Sequence, residues 1–271
     1  MRHSASSQMG SRKRLPQKDR WKIIQNMLET RPVVLISDLA SQFDVSVETI
    51  RRDIDAMAEA ELLERSYGGA TALNTAHEPA INLRATQQIT ERQRIASAAA
   101  TLVRDSQVLM FDSCATCFPL AHRLTIERND LKVITNSFPI ANIMAKNSTF
   151  KITVAGGFFK SSEGGNYGSE TTEFLHRFVA DHCFSSCSSV TVEGPTEVDS
   201  DLAAVKRVMF NQSRSNSLLV DHEKFRLPKL ELVSSLAMLD HVFTDASPEQ
   251  AFIDAVDAAS ARLHVAHSVK N

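Results

Sequence analysis

Two arginines and a threonine stand in the first turns of a predicted helix, in an arrangement suited to contact with duplex DNA. The segment 46–54 opens with Ser46, a residue type that caps helices, and continues through Thr49, Arg51 and Arg52. Arginine side chains pair with guanine edges or with phosphates, and threonine suits thymine methyls or phosphate oxygens. The chemistry that these residue types favour is recognition of a DNA groove.

A shorter helix precedes this one closely enough to form a helix-turn-helix. It is predicted at 36–43 with Ser37 as its N-cap, and only a tight turn at 44–45 separates the two helices. In such a unit the second helix places its first turns in the major groove. Asp53 and Asp55 are poor groove residues, so we expect them to cap or pair within the domain. The alternative is an ordinary amphipathic helix with solvated charges, which the short turn and paired arginines argue against.

Flanking segments complete a winged helix. Residues 19–30 repeat apolar side chains at helical spacing, and 62–70 is predicted to be a strand ending in a Gly-Gly turn, the first half of a wing. Residues 1–22 carry seven Arg or Lys, Arg20 among them, against one Asp, and 1–18 is predicted to be a disordered basic arm suited to phosphate contact. The residues predicted to contact DNA are Ser37, Ser46, Glu48, Thr49, Arg51, Arg52, Arg65, Tyr67 and Gly68.

The length of the chain allows a second, larger domain. Its 271 residues are 43% apolar and 23% charged, with a net charge of −2. No apolar run approaches the roughly eighteen residues that a membrane span needs, and the N-terminus lacks a signal-peptide core, so we expect a cytoplasmic chain without membrane contact. The predicted divisions are the arm (1–18), a winged helix-turn-helix domain (19–75), a linker (76–91), an effector-sensing and oligomerisation domain (92–266) and a tail (267–271).

The larger domain alternates short apolar runs with helical segments. Strands are predicted at 108–111, 132–135, 151–155, 184–186, 217–220, 242–244 and 263–265, and helices from 118, at 139–146, at 199–212 and after 248. This alternation is typical of an α/β fold with a mostly parallel sheet. Ligands of such sheets lie beyond the carboxyl ends of the strands.

Polar residues at those strand ends define a candidate effector pocket. The loop after Asp112 enters a helix with Pro119 near its first position, so its backbone N–H groups can hold a phosphate or carboxylate, with Lys206 or Lys224 as the counter-charge. Strand ends are commonly polar, so any one of these residues is equally compatible with a strand end that binds no ligand. The predicted effector-binding residues are Asp112, Ser113, Thr116, Asn136, Ser137, Gly156, Gly157, Lys206, Asp221 and Lys224.

The N-terminal residues resemble one protein family. Arg20, Ile24 and Leu28 at four-residue steps, followed by the segment 46–54, look like the signature of DeoR-type (DeoR/GlpR) bacterial transcriptional repressors. The segment 67–70 is similar to the His-Gly-Gly-Ala wing of that family. The resemblance implies a repressor that binds a duplex DNA operator.

The region from 78 to about 266 resembles the DeoR-type effector domain, whose fold is shared with sugar-phosphate isomerases and CoA-transferase-like proteins. This implies a sensor of a phosphorylated sugar or related metabolite that has no catalysis and controls a sugar or carbohydrate catabolic operon. A repressor on a symmetric operator needs at least a dimer, so we expect a homo-oligomer, dimer or tetramer. The resemblance is carried by Arg84, Ile95, Ala96, Asp112, Thr116, Thr135, Asn136, Ser137, Gly156, Gly157, Gly168, Gly194, Thr196, Val205, Lys206, Arg207, Asp221, Lys224 and Phe225.

The chain departs from the family at the loop 112–117. The family pattern Asp-x-Gly-Thr/Ser-Thr-Thr is replaced by Asp-Ser-Cys-Ala-Thr-Cys, which removes two hydroxyl groups and a glycine that eases close backbone approach. We infer an altered sugar-phosphate site.

Two alternatives remain open from the sequence. Four cysteines lie in the departing loops, at Cys114, Cys117, Cys183 and Cys187, and favour a zinc- or redox-responsive regulator. An isomerase-like enzyme with an appended DNA-binding domain needs an acid and a base, and the pocket offers no clear Glu/His pair. Our main expectation is a regulator with no catalytic residue, no metal and no cofactor.

Overall fold

The computed structural model describes residues 15–30, 33–60, 62–66, 68–71 and 78–266. The chain divides into two compact units, 1–77 and 78–271. Tyr67, the predicted tail and most of the predicted arm lie outside the described residues, and a helix that begins at Gln17 includes the last two residues of that arm. Within the described ranges, none of the helices combines the length and the apolar character that crossing a membrane requires.

Unit 1 is a winged helix-turn-helix, as predicted. Its antiparallel sheet has the strand order β1-β3-β2, so the wing strands β2 and β3 are joined to the strand before the helix-turn-helix. Apolar residues of all three helices share one core, which includes Ile24, Leu39 and Ile54. The elements are α1 (Gln17–Thr30), β1 (Val33–Leu35), α2 (Ile36–Phe43), α3 (Val47–Glu59), β2 (Glu64–Ser66) and β3 (Gly69–Thr71).

The start of α2 differs from the prediction that Ser37 caps it. The N-cap is Leu35, because β1 runs directly into the helix, and Ser37 is the second helical residue. The wing satisfies the first amide instead, since the Ile36 N–H donates to the Gly68 carbonyl at 3.0 Å. A side chain on Gly69 would lie 2.1 Å from the Val34 carbonyl oxygen, so the close approach of the wing to β1 requires glycine.

Unit 2 is the predicted α/β domain. Its elements are α4 (Ile81–Arg84), α5 (Ile89–Ala100), β4 (Val108–Phe111), α6 (Phe118–Glu127), β5 (Lys132–Thr135), α7 (Phe138–Met144), β6 (Lys151–Val154), β7 (Phe158–Lys160), β8 (Gly165–Tyr167), α8 (Ser169–Leu175), β9 (His182–Ser185), β10 (Ser189–Thr191), β11 (Gly194–Glu197), α9 (Ser200–Asn211), β12 (Asn216–Leu219), β13 (Glu231–Leu232), β14 (His241–Thr244), α10 (Gln250–Ala258) and β15 (Arg262–Val265).

The main sheet is parallel throughout and covered on both faces. Among the described residues it has seven strands in the order β15-β14-β12-β9-β4-β5-β6. Alternate residues of β4 enter opposite cores: Leu109 and Phe111 pack with α5, α6 and α7, whereas Met110 packs with α8, α9 and α10. The chain runs outward from β4 through β5 and β6, then returns to β9 on the other side of β4. The topological switch point, where open α/β sheets bind ligands, is therefore between β4 and β9.

Three features of unit 2 differ from or add to the prediction. The β7–β8 hairpin and the small sheet β10-β11-β13 were not predicted, because strands of two to four residues carry little periodicity. Residues 78–91, predicted to belong to a linker, contain α4 and the start of α5. Ile81 is buried and its N–H donates to the Ser162 carbonyl at 2.7 Å, so this segment is packed against unit 2.

His182 in β9 is a buried imidazole that makes stability sensitive to acid. Its Nε2 lies 2.7 Å from Ser217 Oγ, and its ring stacks on Phe184. Burial, assisted by the neighbouring His241, lowers the pKa of His182 from 6.5 to about 4. The unfolded chain therefore binds the proton first as pH falls, and the native state loses stability between pH 6.5 and about 4.

We expect this one group to remove about 2 kcal/mol of unfolding free energy by pH 5. Urea unfolding of the wild type and of His182→Gln, at pH 7 and pH 5, measures the effect. The variant should lose less stability on acidification than the wild type. The exposed His176 supplies the control variant His176→Gln, which should follow the wild type. Equal acid sensitivity of all three proteins would contradict the assignment.

Candidate DNA-recognition helix and effector cleft

The N-terminus of α3 is built around Ser46. Its Oγ accepts a hydrogen bond from the Thr49 amide at 3.1 Å and lies 2.8 Å from Thr49 Oγ1, so it is the N-cap, as predicted. Ile50 and Ile54 are fully buried one helical turn apart. They fix the rotation of α3 and leave the opposite face of its first turns exposed.

That exposed face carries Arg51 and Arg52. Their side chains are 51% and 79% exposed, and both contact the Glu48 carboxylate, at 3.1 Å and 3.4 Å. Exposed ion pairs of this kind add little to stability. Glu48 thus holds two guanidinium groups beside the capped helix end, a position from which they can reach bases or phosphates.

Two other basic residues of unit 1 are engaged internally. Arg20, counted with the basic arm from sequence, is buried, and its guanidinium contacts Asp53 at 2.7 Å. Arg65 of the wing contacts Asp55 at 2.6 Å and stays half exposed. Both aspartates pair within the unit, as expected, and Arg20 joins α1 to α3 rather than extending the arm.

A narrow cleft lies at the switch point of the parallel sheet in unit 2. Its own side chains nearly fill it, leaving a cavity of about 10 Å³. The loops that follow β4 and β9 both line it, as does α9. The lining residues are Arg84, Arg92, Ser113, Cys114, Ala115, Thr116, Glu163, Ser186, Cys187, Glu197, Leu202, Lys206 and Lys224.

Lys206 is the buried centre of one side of the cleft. Its Nζ contacts Asp112, lies 3.3 Å from Glu197 and donates to the Ser186 carbonyl at 3.0 Å. Burial alone would lower the pKa of Lys206, but the two carboxylates outweigh burial and hold it well above its ordinary value. Lys206 therefore ties β4, β11 and the loop after β9 together as a permanent cation.

The other side of the cleft is formed by Arg84 and Lys224. The Arg84 guanidinium contacts Glu78 at 2.5 Å and also Glu163, while Lys224 Nζ lies 3.4 Å from Glu78. Burial would raise the pKa of Glu78, but Lys224 and Arg84 lower it to about 2. Glu78 is thus a largely but not fully buried carboxylate shared by two cations.

Asp221, predicted to bind effector, lies behind this surface in an ion pair. Its carboxylate contacts Arg92 Nε at 3.1 Å and is almost fully buried. The same arginine donates through Nη1 to the Arg84 carbonyl at 2.5 Å. Arg92 therefore connects α4 to the loop after β12.

The polar residues predicted at the strand ends make hydrogen bonds at the cleft or next to it. Ser113 Oγ donates to the Glu163 carbonyl at 2.6 Å and lies 3.0 Å from Ser137 Oγ. Ser137 is the N-cap of α7, and Asn136 donates from Nδ2 to the Asn166 carbonyl at 3.0 Å. Thr116 lines the cleft directly and receives a hydrogen bond from Ser186 Oγ at 3.4 Å.

Gly156 and Gly157 lie apart from the cleft lining, unlike the predicted arrangement. The Gly156 carbonyl accepts a hydrogen bond from Thr171 Oγ1 at 2.6 Å. Gly157 has a φ of +138°, and a side chain there would meet Thr171 Oγ1 at 2.0 Å. Gly157 allows α8 to approach the end of β6, which explains a glycine at that position without a ligand, whereas a side chain on Gly156 would meet no atom within 4 Å.

Each of the two units matches a known domain family. Residues 87–246 match the DeoR C terminal sensor domain, and residues 20–76 match the DeoR-like helix-turn-helix domain. The chain belongs to the DeoR family. It is a DNA-binding transcriptional regulator, and the resemblance found in the sequence is confirmed.

Two curated bacterial repressors resemble most of this DeoR-family chain. The glycerol-3-phosphate regulon repressor of Escherichia coli (strain K12) is 31% identical over 226 residues, 83% of this chain and 89% of that protein. The HTH-type transcriptional repressor CsqR of the same strain is 30% identical over 226 residues, 83% and 86% of the two chains. A solved D-ribose-5-phosphate isomerase in complex with phospho-erythronic acid is 12% identical, with 49% and 52% of the chains covered and a TM-score of 0.38.

The four cysteines of this DeoR-family chain are buried, free thiols that do not gather at one point. Ligand atoms of Asp112, Cys114 and Cys117 lie within 4.8 Å of one another, and Cys183 and Cys187 are outside that group in the described part of the chain. Burial raises the pKa of Cys117, Cys183 and Cys187, which disfavours the thiolate that metal binding and oxidation need. Asp112 is, in addition, paired with Lys206. The geometry does not support a four-cysteine zinc site.

Sequence reasoning missed half of the charged residues in the cleft. Arg84 was noted only as a position of resemblance, and Arg92, Glu163 and Glu197 were not singled out. Arg84 lies in the predicted linker, and the other three lie in segments for which no strand or helix was predicted. Arg84 was detectable from the resemblance; the others enter the cleft through tertiary packing that a single sequence does not reveal.

Proposed function

We propose that this DeoR-family protein is a repressor whose operator affinity is lowered when a phosphorylated sugar or polyol binds in the cleft of unit 2. The observation that carries the proposal is the position of the cleft at the switch point, with Arg84, Lys206 and Lys224 on its lining. Cationic side chains beside strand-end loops are what an anionic metabolite needs.

Hydrogen-bond acceptors beside the same cleft favour a ligand with hydroxyl groups. Asp112 Oδ1, Asp221 Oδ1 and Asn136 Oδ1 are buried, and none has a hydrogen-bond partner among the described atoms. Buried acceptors usually have partners, because leaving one unpaired costs about 1–3 kcal/mol. Sugar hydroxyls are donors of the required kind, and the phosphate would engage the cations. A relative that is named as a repressor of a glycerol-3-phosphate regulon supports this ligand class.

The ion pairing of the carboxylates near the cleft favours a ligand sensor over an enzyme. An isomerase needs a base and an acid free to exchange protons with substrate. Here Asp112 is paired with Lys206, Asp221 with Arg92, and Lys224 with Glu78. Each of these groups is already engaged by a partner of opposite charge, so we propose that the chain is not an enzyme. A symmetric operator further favours at least a homodimer, since two recognition helices must be set one helical turn apart.

Calorimetry with a panel of sugar and polyol phosphates tests the ligand class. We expect at least one compound to bind with a dissociation constant well below millimolar, and Lys224→Met and Thr116→Val to weaken that binding at least tenfold, because both side chains line the cleft. The exposed Lys146 gives the matched control Lys146→Met, which should bind as the wild type does. Absence of submillimolar binding by every compound would contradict the proposed ligand.

A further inference from the structure

The charges around the cleft leave no excess of positive charge for an incoming anion. Four cations are paired with five carboxylates, so the cluster carries one excess negative charge when all nine groups are ionised. If Glu197, whose pKa burial raises, holds a proton, the cluster is neutral. The nine residues are Arg84, Arg92, Lys206, Lys224, Glu78, Asp112, Glu163, Glu197 and Asp221.

An anionic ligand must therefore replace a carboxylate rather than add to the cluster. Bringing a phosphate into a buried site that is neutral or negative is unfavourable, because the desolvation of the charge is not compensated. Exchange of one carboxylate for the phosphate adds at most one negative charge to the cluster, whereas simple addition of the phosphate adds nearly two. The carboxylate that leaves should be the one whose backbone is held least.

Glu78 meets that condition better than the other carboxylates. Asp112 directly follows β4, Asp221 is the second residue after β12, and Glu197 is the last residue of β11. Glu163 is fixed in the hairpin turn, where its N–H donates to the Lys160 carbonyl and its carbonyl accepts from Ser113. In the described part of the chain, the contacts that hold Glu78 are made by its side chain. The first backbone hydrogen bonds of its segment are made by the Ala80 carbonyl and the Ile81 N–H.

The partners of Glu78 are also suited to a phosphate. Arg84 and Lys224 both line the cleft and converge on one carboxylate. The Arg84 Nε is a buried donor that has no hydrogen-bond partner among the described residues. A phosphate group offers more acceptor oxygens than a carboxylate and a second negative charge. It can use the Arg84 donor that Glu78 leaves unpaired.

We propose that Glu78 is a built-in competitor, whose carboxylate occupies the subsite of the ligand phosphate between Arg84 and Lys224 and is displaced when a phosphorylated ligand binds. This inference rests on the proposed function of the cleft and specifies how that site is regulated. Glu78 is the first residue of unit 2. When Glu78 is displaced, the start of unit 2, where the chain continues from the DNA-binding unit, loses this anchor. Ligand binding can thereby change operator affinity.

The substitution Glu78→Gln removes the competing charge with little change in shape. We expect the full-length variant to bind glycerol 3-phosphate, other members of the phosphate-ester panel and inorganic phosphate at least tenfold more tightly than the wild type, by calorimetry. Glu170→Gln, at an exposed position on α8, is the matched control and should bind as the wild type does. A purely structural role for Glu78 predicts weaker binding by the variant.

Hydrogen exchange on the wild-type protein tests the same idea without a substitution. Saturation with the tightest-binding phosphate ester should speed exchange of the amides of residue 78 and residues 80–85 at least threefold, since their Glu78 anchor is lost. Unchanged or slower exchange in this segment overturns the proposal, even if the variant fails to fold.

The outcomes separate this proposal from the function on which it rests. If a phosphate ester binds the wild type and Glu78→Gln binds it no more tightly, the competitor role is wrong and phosphosugar sensing stands. If inorganic phosphate binds the variant at least tenfold more tightly while no phosphate ester lowers operator affinity, the competitor role stands and the sensing function is wrong. If no anion binds either protein, both are wrong.

Discussion

Replacement of Lys206 by Met should destabilise unit 2 by about 3–5 kcal/mol, because it leaves two buried carboxylates without their cation. Lys206 contacts Asp112 and Glu197 and is itself almost completely buried. Denaturation in urea, monitored by circular dichroism, measures the loss. The exposed Lys146 supplies the control Lys146→Met, which should change stability by less than about 0.5 kcal/mol.

A second substitution distinguishes lost charge balance from lost packing. The pair Asp112→Asn and Lys206→Met removes one of the stranded carboxylates together with the lysine. If the charge argument holds, the double variant is more stable than Lys206→Met alone, which is the sign of strong coupling between the two sites. Additive losses in the double variant would show that Lys206 acts through packing only.

Replacement of Arg51 or Arg52 by Ala should weaken specific operator binding by about 1–3 kcal/mol, roughly 5- to 150-fold, if the side chain reads a base edge. Both side chains are exposed at the capped start of α3, held by Glu48. A contact with phosphate alone would weaken binding to all sequences alike and lower the salt slope by about one unit. Fluorescence anisotropy at several salt concentrations separates the two contacts.

The chain offers a matched control for the recognition helix. Arg104, in unit 2, is exposed, so Arg104→Ala removes the same charge without touching α3. It should leave DNA affinity unchanged. Wild-type affinity in both Arg51→Ala and Arg52→Ala would show that α3 is not the recognition helix.

The fold was predictable where the sequence carries a sustained apolar periodicity or a clear helix cap. The Ser46 cap, the stripe of Ile50 and Ile54 and the alternating strands of the main sheet agree with the structure. Ser37 was misassigned because the acceptor for the first amide of α2 is the Gly68 carbonyl, a residue of the wing far along the chain. Helix caps provided by distant backbone are not visible in a local sequence pattern.

The site was predictable only in part, for a topological reason. Strand-end residues such as Ser113 and Thr116 were found, because carboxyl ends of parallel strands bind ligands. The crevice lies between two strands that are chosen by the order of strands in the sheet. That order places β9 beside β4, and no local sequence pattern predicts it. Arg84 and Glu163 therefore joined the site only when the fold brought α4 and the β7–β8 hairpin to it.

The most direct test of the central claim is the affinity of the full-length protein for DNA upstream of its own gene, with and without sugar and polyol phosphates. We predict sequence-specific binding by the wild type and at least a tenfold loss of affinity with one phosphorylated ligand, which needs about 1.4 kcal/mol of preference for the DNA-incompetent state. Lys224→Met should bind the same DNA and lose that response. Specific DNA binding that no phosphorylated ligand alters, or no specific DNA binding at all, would contradict the account.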